Sequence, residues 1–359
     1  MINTTDKTLK LLHVVRRYGP VGGMERYVWE LTRELRDLGH EVEVLCEVCL
    51  IERPYGIAVH ELGTIAPRPR WLSLLRFGKR VERWLEANPH PGWLIHSHER
   101  LSNHHITTFH GPPFATVRDR PWWRKASLRV AMQMFLERRE LTVAQRIVPN
   151  SDVISKSLAH YYPEVAHKLT RPIVPGVAPG MPRETRSIPL DGGVIGFVGK
   201  EWQRKGLPFA IEIISALRRT RPNLQFCVVG PAAAEIQHLF ASWPGGYQLL
   251  GWSAQSHFAG FDVLLHPAKA EPYGMVISEA MAAGVPVVIS DVCGAAAQVT
   301  RSAGIALPLS APVETWVSAL EKQLLRSEPA PQFERSWRQV AHEYEEIYRK
   351  LPEIMVEKE

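Results

Sequence analysis

The sequence predicts an α/β protein of two doubly wound domains facing a cleft, followed by a terminal helix. Three observations carry this reading. A chain of 359 residues exceeds one ordinary open-sheet core, so about two domains are expected. Short apolar runs alternate with helical patterns in two separate series, which implies parallel sheets covered on both faces. Between the series lies RPIVPGVAPGMPRETRSIPLDGG (171–193), whose Pro and Gly content is that of a linker. The expected boundaries are 1–175, 191–335 and a helix over 336–359.

The first series opens with LKLLHVV (9–15), a strand. A helix over Gly23–Leu38 follows, because Met24, Tyr27, Val28, Leu31, Leu35 and Leu38 share one face. Gly39 ends it as a residue free to adopt positive φ. Strands EVEVLCEV, IAVHEL, WLIHSH, HITTFH and QRIVPN come next, with helices between some of them. The second series runs from GGVIGFVG (192–199) through a helix over Pro208–Thr220 and strands LQFCVVG, YQLLG and FDVLLHPA. It closes with a helix after Gly274 and the strand VPVVIS (285–290). The last segment carries Trp337, Val340, Tyr344, Ile347 and Leu351 at helical spacing, an apolar stripe suited to packing back on the first domain.

Composition narrows the class. Hydrophobic residues make up 45% and charged residues 22%, as in a soluble globular protein, and no apolar run is long enough to span a bilayer. The opening MINTTDKTLKLLHVV reads as a short tail entering a strand rather than a signal peptide, so a cytoplasmic location is expected. Cys46 and Cys49 form CEVC, but residues three apart on a strand face opposite sides, and no second CxxC completes a zinc site. With Cys227 and Cys293 they read as core thiols.

The charge is uneven. Residues 1–180 hold 26 Lys and Arg against 18 Asp and Glu, while the remainder holds 17 against 19. Much of the excess lies in PRPRWLSLLRFGKRVERW (67–84) and VRDRPWWRK (117–125), which mix cations with Trp. Such segments suit an anionic membrane surface; the alternative is a solvated basic face with its Trp buried. No nucleic-acid-binding pattern accompanies the charge.

Four stretches carry chemistry. In FVGKEWQRKGL (197–207), Gly199 ends a strand, and Lys200, Arg204 and Lys205 occupy the loop before a helix. Three cations at a strand's carboxyl end can neutralise a diphosphate; the alternative is a solvated turn. In EPYGMVISE (271–279), Gly274 lets backbone approach a ligand. The amides of Gly274, Met275 and Val276 open a helix, where an anion is favoured. Glu271 and Glu279 flank them, and carboxylates suit hydroxyl pairs. The third stretch is GPVGGMERY (19–27), in which Gly22 and Gly23 put bare backbone at a helix start without forming GxGxxG. The fourth is TTFHGPP (107–113), with His110 at a strand end. His96, His98, His104 and His105 lie nearby. His96 and His98 share a strand face, but no third ligand has a recognisable spacing, so no metal site is expected.

Together these stretches resemble glycosyltransferase family 4, the retaining nucleotide-sugar-dependent enzymes with the GT-B fold of two Rossmann-like domains. The resemblance covers nearly the whole chain in order: GGMER, the FHG strand end, VPGV, VGKEWQRKGL and the block LLHPAKAEPYGMVISEAMAAGVPVVIS, the most specific of them. It implies that Glu271 faces the transferred sugar and Glu279 the nucleotide ribose. Arg204 and Lys205 match the pair that binds the donor diphosphate. Gly22 and Gly23 match the loop at the donor phosphate or acceptor, and His110 the histidine near the donor sugar. Arg171 resembles a phosphate-facing arginine of lipopolysaccharide core members. Lys200 departs from the more usual arginine, and PGV from the more usual NGV.

The resemblance further implies transfer from a nucleoside diphosphate sugar, a UDP-sugar first and an ADP- or GDP-sugar otherwise, with no other cofactor. The acceptor would be a glycan or lipid-linked hydroxyl in lipopolysaccharide or other envelope polysaccharide synthesis, reached from the inner face of the cytoplasmic membrane. The competing functions are a non-catalytic sugar-nucleotide or lipid-binding module, a synthase or phosphorylase with a soluble acceptor, and a UDP-sugar epimerase.

Overall fold

The computed structural model describes residues 8–124, 126–253 and 257–356, and divides the chain into two units. The expected leading tail at 1–7 and Lys125 of the second basic stretch lie outside the described residues.

The first unit takes in residues 1–176 and 336–359. Its strands are β1 (Lys10–Tyr18), β2 (Glu41–Cys49), β3 (Ala58–Glu61), β4 (Leu94–Ser97), β5 (Ile106–Phe109) and β6 (Arg146–Pro149). They form one parallel sheet in the order β3-β2-β1-β4-β5-β6. Its helices include α1 (Gly23–Asp37), α2 (Arg70–Ala87), α3 (Leu128–Val143) and α4 (Asp152–Tyr161). Burial follows the sequence pattern. Helix α1 turns Tyr27, Val28, Leu31 and Leu35 inward, and Gly39 leaves it at φ +89°. Ser151 caps α4 by accepting from the Ile154 amide at 3.3 Å, with Asp152 in the first turn favoured by the helix dipole.

The second unit spans residues 177–335. Here β7 (Val194–Val198), β8 (Gln225–Val229), β9 (Tyr247–Gly251), β10 (Val263–His266), β11 (Val287–Ser290) and β12 (Gly304–Leu307) pair in parallel in the order β12-β11-β10-β7-β8-β9. Helices α5 (Leu207–Leu217), α6 (Ala233–Ile236), α7 (Met275–Ala282) and α8 (Val313–Leu324) connect them. Ile195, Phe197, Ile213, Ile214, Val263, Leu265, Trp316 and Leu320 form its core. Each fully buried apolar side chain contributes about 1.5–3 kcal/mol. Strand β12 was not expected: GIAL is four residues long and half-buried, too short for a periodic signal.

The last helix, α9 (Trp337–Val356), belongs to the first unit and packs on α1. Trp337, Val340, Tyr344 and Leu351 are buried as the stripe requires. Ile347 is not; Tyr348 takes its place, because its hydroxyl reaches His96 Nδ1 at 2.6 Å. Tyr344 also hydrogen-bonds, to Tyr27 at 2.9 Å and Thr108 at 2.7 Å.

All four cysteines are free. Burial pushes the Cys46 and Cys293 thiols up to about 12 and Cys227 to about 11, so these three are poor nucleophiles and ligands. The basic stretches diverge. In α2 the Trp residues are partly buried against the domain, whereas Trp122 and Trp123 stand 74% and 64% exposed. Among the described residues no helix is long and apolar enough to cross a membrane.

Two buried acids of α3 differ in their partners. Glu137 accepts from the amides of Phe114 and Ala115, from Arg100 and from Tyr162. Among the described residues the Glu140 carboxyl accepts only from Thr107, at 2.7 Å, and burial pushes it up to about 8. A group that ionises near 4.5 when unfolded and near 8 when folded gives its full stability at low pH and loses it as pH rises between those values. Glu140→Gln removes that loss. Urea unfolding at several pH values is expected to show the variant gaining on wild type from pH ~5 to ~8, by more than about 1 kcal/mol at the upper end. A pH-independent difference would count against the buried neutral acid.

Candidate active site

In the second unit the chemistry gathers at the carboxyl ends of β7 and β10, where open α/β sheets place ligands. Strand β7 ends at Val198. Gly199 turns the chain at φ +152°, and a Cβ there would lie 2.0 Å from Lys205 Cδ. The loop closes at Gly206, φ +82°, where a Cβ would meet the Pro267 carbonyl oxygen at 2.0 Å. Both positions therefore require glycine: the backbone is left-handed in sense and space is absent. The two strand ends are also tied by the Lys269 amide donating to the Arg204 carbonyl at 2.9 Å.

This register brings four side chains together. Lys205 Nζ donates to Glu271 Oε2 at 2.9 Å, and Arg204 approaches the same oxygen at 3.4 Å. His266, the last residue of β10, places Nε2 3.4 Å from it, a contact without hydrogen-bond alignment. Lys205 and Glu271 are 9% and 8% exposed. Burial would raise the Glu271 carboxyl; His266, Lys205 and Arg204 outweigh it and hold it well below the usual carboxylate range. Burial, reinforced by the Lys205 charge, lowers His266 to about 4, so its ring is neutral at physiological pH. All three contacts fall on Oε2. Oε1 has no hydrogen-bond partner among the described residues.

Backbone bonds hold Glu271 in place. Its carbonyl accepts from the Gly294 amide at 3.0 Å, and the Tyr273 carbonyl accepts from Ala295 at 2.8 Å. Gly274 then turns at φ +96° into α7, whose first residues are Met275 and Val276. Tyr273 and Ser278 hydrogen-bond at 2.8 Å across that turn. Glu279 lies half-buried in the second turn of α7, and Lys200 is exposed.

The sequence separates acids that hold hydroxyls from cations that hold phosphate. The structure joins them, since Arg204 and Lys205 are already engaged by Glu271. His266 was missed. It ends an apolar strand, and only the three-dimensional register shows that it faces Glu271.

The other expected residues lie in the first unit. Gly22 is the N-cap of α1 in an extended conformation, and a Cβ there would fall 2.3 Å from Glu25 Oε2. The loop is therefore less bare than its glycines suggest. Glu25 is buried and accepts from Arg17 Nε at 2.9 Å, and Gly23 opens the helix beside it. Arg171 is exposed and pairs at 3.8 Å with Glu346 of α9. His110, just past β5, is partly buried, and its carbonyl accepts from Asn150 at 3.2 Å. Burial lowers its imidazole to about 3.

The third imidazole that spacing did not reveal is His13. It comes from β1, and with His96 and His98 it gathers ring nitrogens within 4.8 Å of one another, the one such group among the described residues. Both nitrogens of His96 are taken, by Tyr348 at 2.6 Å and Thr108 at 2.8 Å. The three rings pack together, with His13 and His98 hydrogen-bonded to each other at 3.2 Å and His96 to Tyr348 and Thr108.

Comparison with known proteins decides the family. Residues 21–181 match the family model described as Glycosyltransferase Family 4, and residues 192–326 match Glycosyl transferases group 1. The chain belongs to these glycosyltransferases. A D-inositol 3-phosphate glycosyltransferase of Saccharomonospora viridis is 26% identical over 91% of this chain and 89% of its own. Among solved structures, WaaG, a glycosyltransferase involved in lipopolysaccharide biosynthesis, aligns with TM-score 0.73 at 18% identity, covering 96% of this glycosyltransferase and 98% of WaaG. Anabaena HepE in complex with UDP and glucose aligns with TM-score 0.66 at 15% identity, covering 95% and 99%. The two parallel six-stranded sheets in Rossmann-like halves are the GT-B fold.

The Lys205–Glu271 pair is expected to matter for folding as well. Lys205→Met leaves a buried carboxylate with Arg204 alone and should cost about 2–4 kcal/mol in urea unfolding. Adding Glu271→Leu should recover part of that loss, with a coupling above about 1 kcal/mol. Additive losses would mean the pair is energetically idle.

Proposed function

We propose that this glycosyltransferase moves a hexose-type sugar from a nucleoside diphosphate sugar, a UDP-sugar first, to an acceptor hydroxyl with retention of anomeric configuration. The observation that carries the reading is the buried carboxylate Glu271 held by Lys205 and Arg204 at the carboxyl ends of β7 and β10. Glu271 stays ionised and offers Oε1 to a sugar hydroxyl. Lys205 and Arg204, fixed by the same carboxylate, supply positive charge for the diphosphate, with the amides of Gly274, Met275 and Val276 beside them. Glu279 takes the ribose. Lys200 and the Gly199 turn border the phosphates, and Arg171 adds to the phosphate contacts.

Breaking the sugar–phosphate bond builds negative charge on the leaving phosphate. Cations already oriented by Glu271 stabilise it without reorganising, which is often the largest catalytic term. No residue is assigned as general base; the leaving phosphate accepts the acceptor proton on the same face. His110, neutral, orients the sugar, and the Gly22–Gly23 loop meets donor phosphate or acceptor.

Lys205→Ala is expected to lower turnover by ~10²–10³ at saturating UDP-sugar. Near-wild-type turnover in that variant, confirmed folded by circular dichroism, would sink the phosphate role. A donor present at 100 times its Kd should stabilise the protein by about 2.7 kcal/mol, so a thermal-shift series of UDP-, ADP- and GDP-sugars ranks the bases.

The acceptor is a hydroxyl on a phosphate-bearing polyol, glycan or glycolipid. Support comes from the inositol phosphate named for the relative above and from the basic character of residues 1–180. Exposed Trp122 and Trp123 beside Arg118 and Arg120 favour a lipid-linked acceptor met at an anionic membrane surface, in envelope polysaccharide or glycolipid synthesis. Wild-type protein should float with phosphatidylglycerol liposomes at low salt, and Trp122→Ala/Trp123→Ala should float several-fold less. Equal flotation of the two proteins, or none by either, excludes this surface.

A further inference from the structure

We infer that His13 and His98 are positioning residues that fix the tautomer and ring plane of His110. His110 Nε2 lies 2.9 Å from His98 Nδ1, and His98 Nε2 lies 3.2 Å from His13 Nδ1. Three imidazoles from β1 and from the ends of β4 and β5 thus make one chain of two N···N contacts. Each contact needs one hydrogen between its nitrogens.

Counting protons constrains the chain. A neutral imidazole carries one N–H, so the middle ring, His98, donates to one neighbour and accepts from the other. If it donates to His110, then His13 donates to it from Nδ1, and all three rings carry their proton on Nδ1. If it donates to His13, His110 donates to it from Nε2, and all three carry the proton on Nε2. Mixed arrangements leave one contact with two hydrogens or with none. Neutrality is supported by burial, which lowers His13 and His110 to about 3 and His98 well below its usual value.

The surroundings hold the rings still. His13 and His98 are 0% and 5% exposed, and His13 Nε2 is buried without a partner. His96 lies against both rings and is itself held by Thr108 and Tyr348, while the Tyr27 ring meets His110 edge-on. At the other end, His110 Nδ1 has no hydrogen-bond partner among the described residues. Whether that nitrogen offers a proton or a lone pair to a sugar hydroxyl is therefore coupled to the tautomers of His98 and His13. What His110 touches rests on the function proposed above; the proton count does not.

The test uses full-length protein with ¹⁵N-labelled histidine and two-bond ¹⁵N–¹H correlation spectra, which report the protonated nitrogen of each ring. His110→Ala, His98→Leu and His13→Phe identify the three signals. All three rings protonated on the same ring atom in wild type is the expected result, and opposite senses would overturn the coupling. In His13→Phe the His110 signal should shift toward a mixture of tautomers. UDP-sugar turnover should fall about tenfold in kcat, with KM for donor changed less than twofold. His13→Gln, able to donate or accept, should restore a single tautomer and most of the turnover. A His110 tautomer unchanged in His13→Phe would overturn the proposal even if that variant melts earlier. If His13→Phe does not fold, His98→Leu carries the same expectation. One equivalent of zinc retained on dialysed wild type would also overturn it, because a metal on these rings displaces the shared protons. A wild-type protein without transferase activity would sink the functional reading alone.

Discussion

The contact between Lys205 and Glu271 organises the second unit's chemistry. A carboxylate buried to 8% exposure is costly unless cations compensate it, and the compensation must be built by the fold. Here Lys205 comes from the turn after β7, and Glu271 from the turn after β10, an adjacent parallel strand. The Lys269 amide, donating to the Arg204 carbonyl, ties the two turns together, and the Gly294 amide after β11, donating to the Glu271 carbonyl, holds the second of them. Side-chain placement follows from sheet register rather than from loop chance. That is the arrangement in which a charged pair can be both buried and poised for a ligand.

The same constraint explains the glycines around it. Gly206 passes within contact of the Pro267 carbonyl, so the α5 start can press against the β10 end. Gly199 leaves the space that the Lys205 stem fills. An added methyl at either place would open the two turns and separate the charges. Compact backbone is thus the condition for the ion pair, and the ion pair is the condition for a preorganised positive site. Catalytic electrostatics of this kind gains from groups that need not move when charge develops.

Much of this was legible because the relevant signals are local. Short apolar runs marked eleven of the twelve strands, and the stretches around Lys205 and Glu271 stood out by residue type. What escaped was set by register across the sheet. His266 looks like the polar end of a strand until β7 and β10 are seen side by side. His13 is a single histidine inside LKLLHVV; its neighbours His96 and His98 are more than eighty residues away, and no spacing rule links them. Tyr348 displaced Ile347 from the buried stripe of α9 for the same reason, because His96 offers its hydroxyl a partner. Gly22 read as bare backbone until Glu25 was seen folded over it.

Two buried clusters, one in each unit, hold polar groups by opposite means. The second keeps charge and pays for it with counter-charge, so Glu271 stays ionised through the physiological range. The His13–His98–His110 chain of the first unit sheds charge: burial holds these three rings below their usual titration range, and they satisfy one another as neutral donors and acceptors. Each solution suits a different demand. A leaving phosphate needs fixed positive charge, and charge must therefore survive burial. In the proposed function a sugar hydroxyl needs a directed hydrogen bond, which a chain of neutral rings supplies without placing charge beside it. Burial keeps the His110 ring neutral at physiological pH, so in the proposed function orientation rather than acid–base chemistry falls to it.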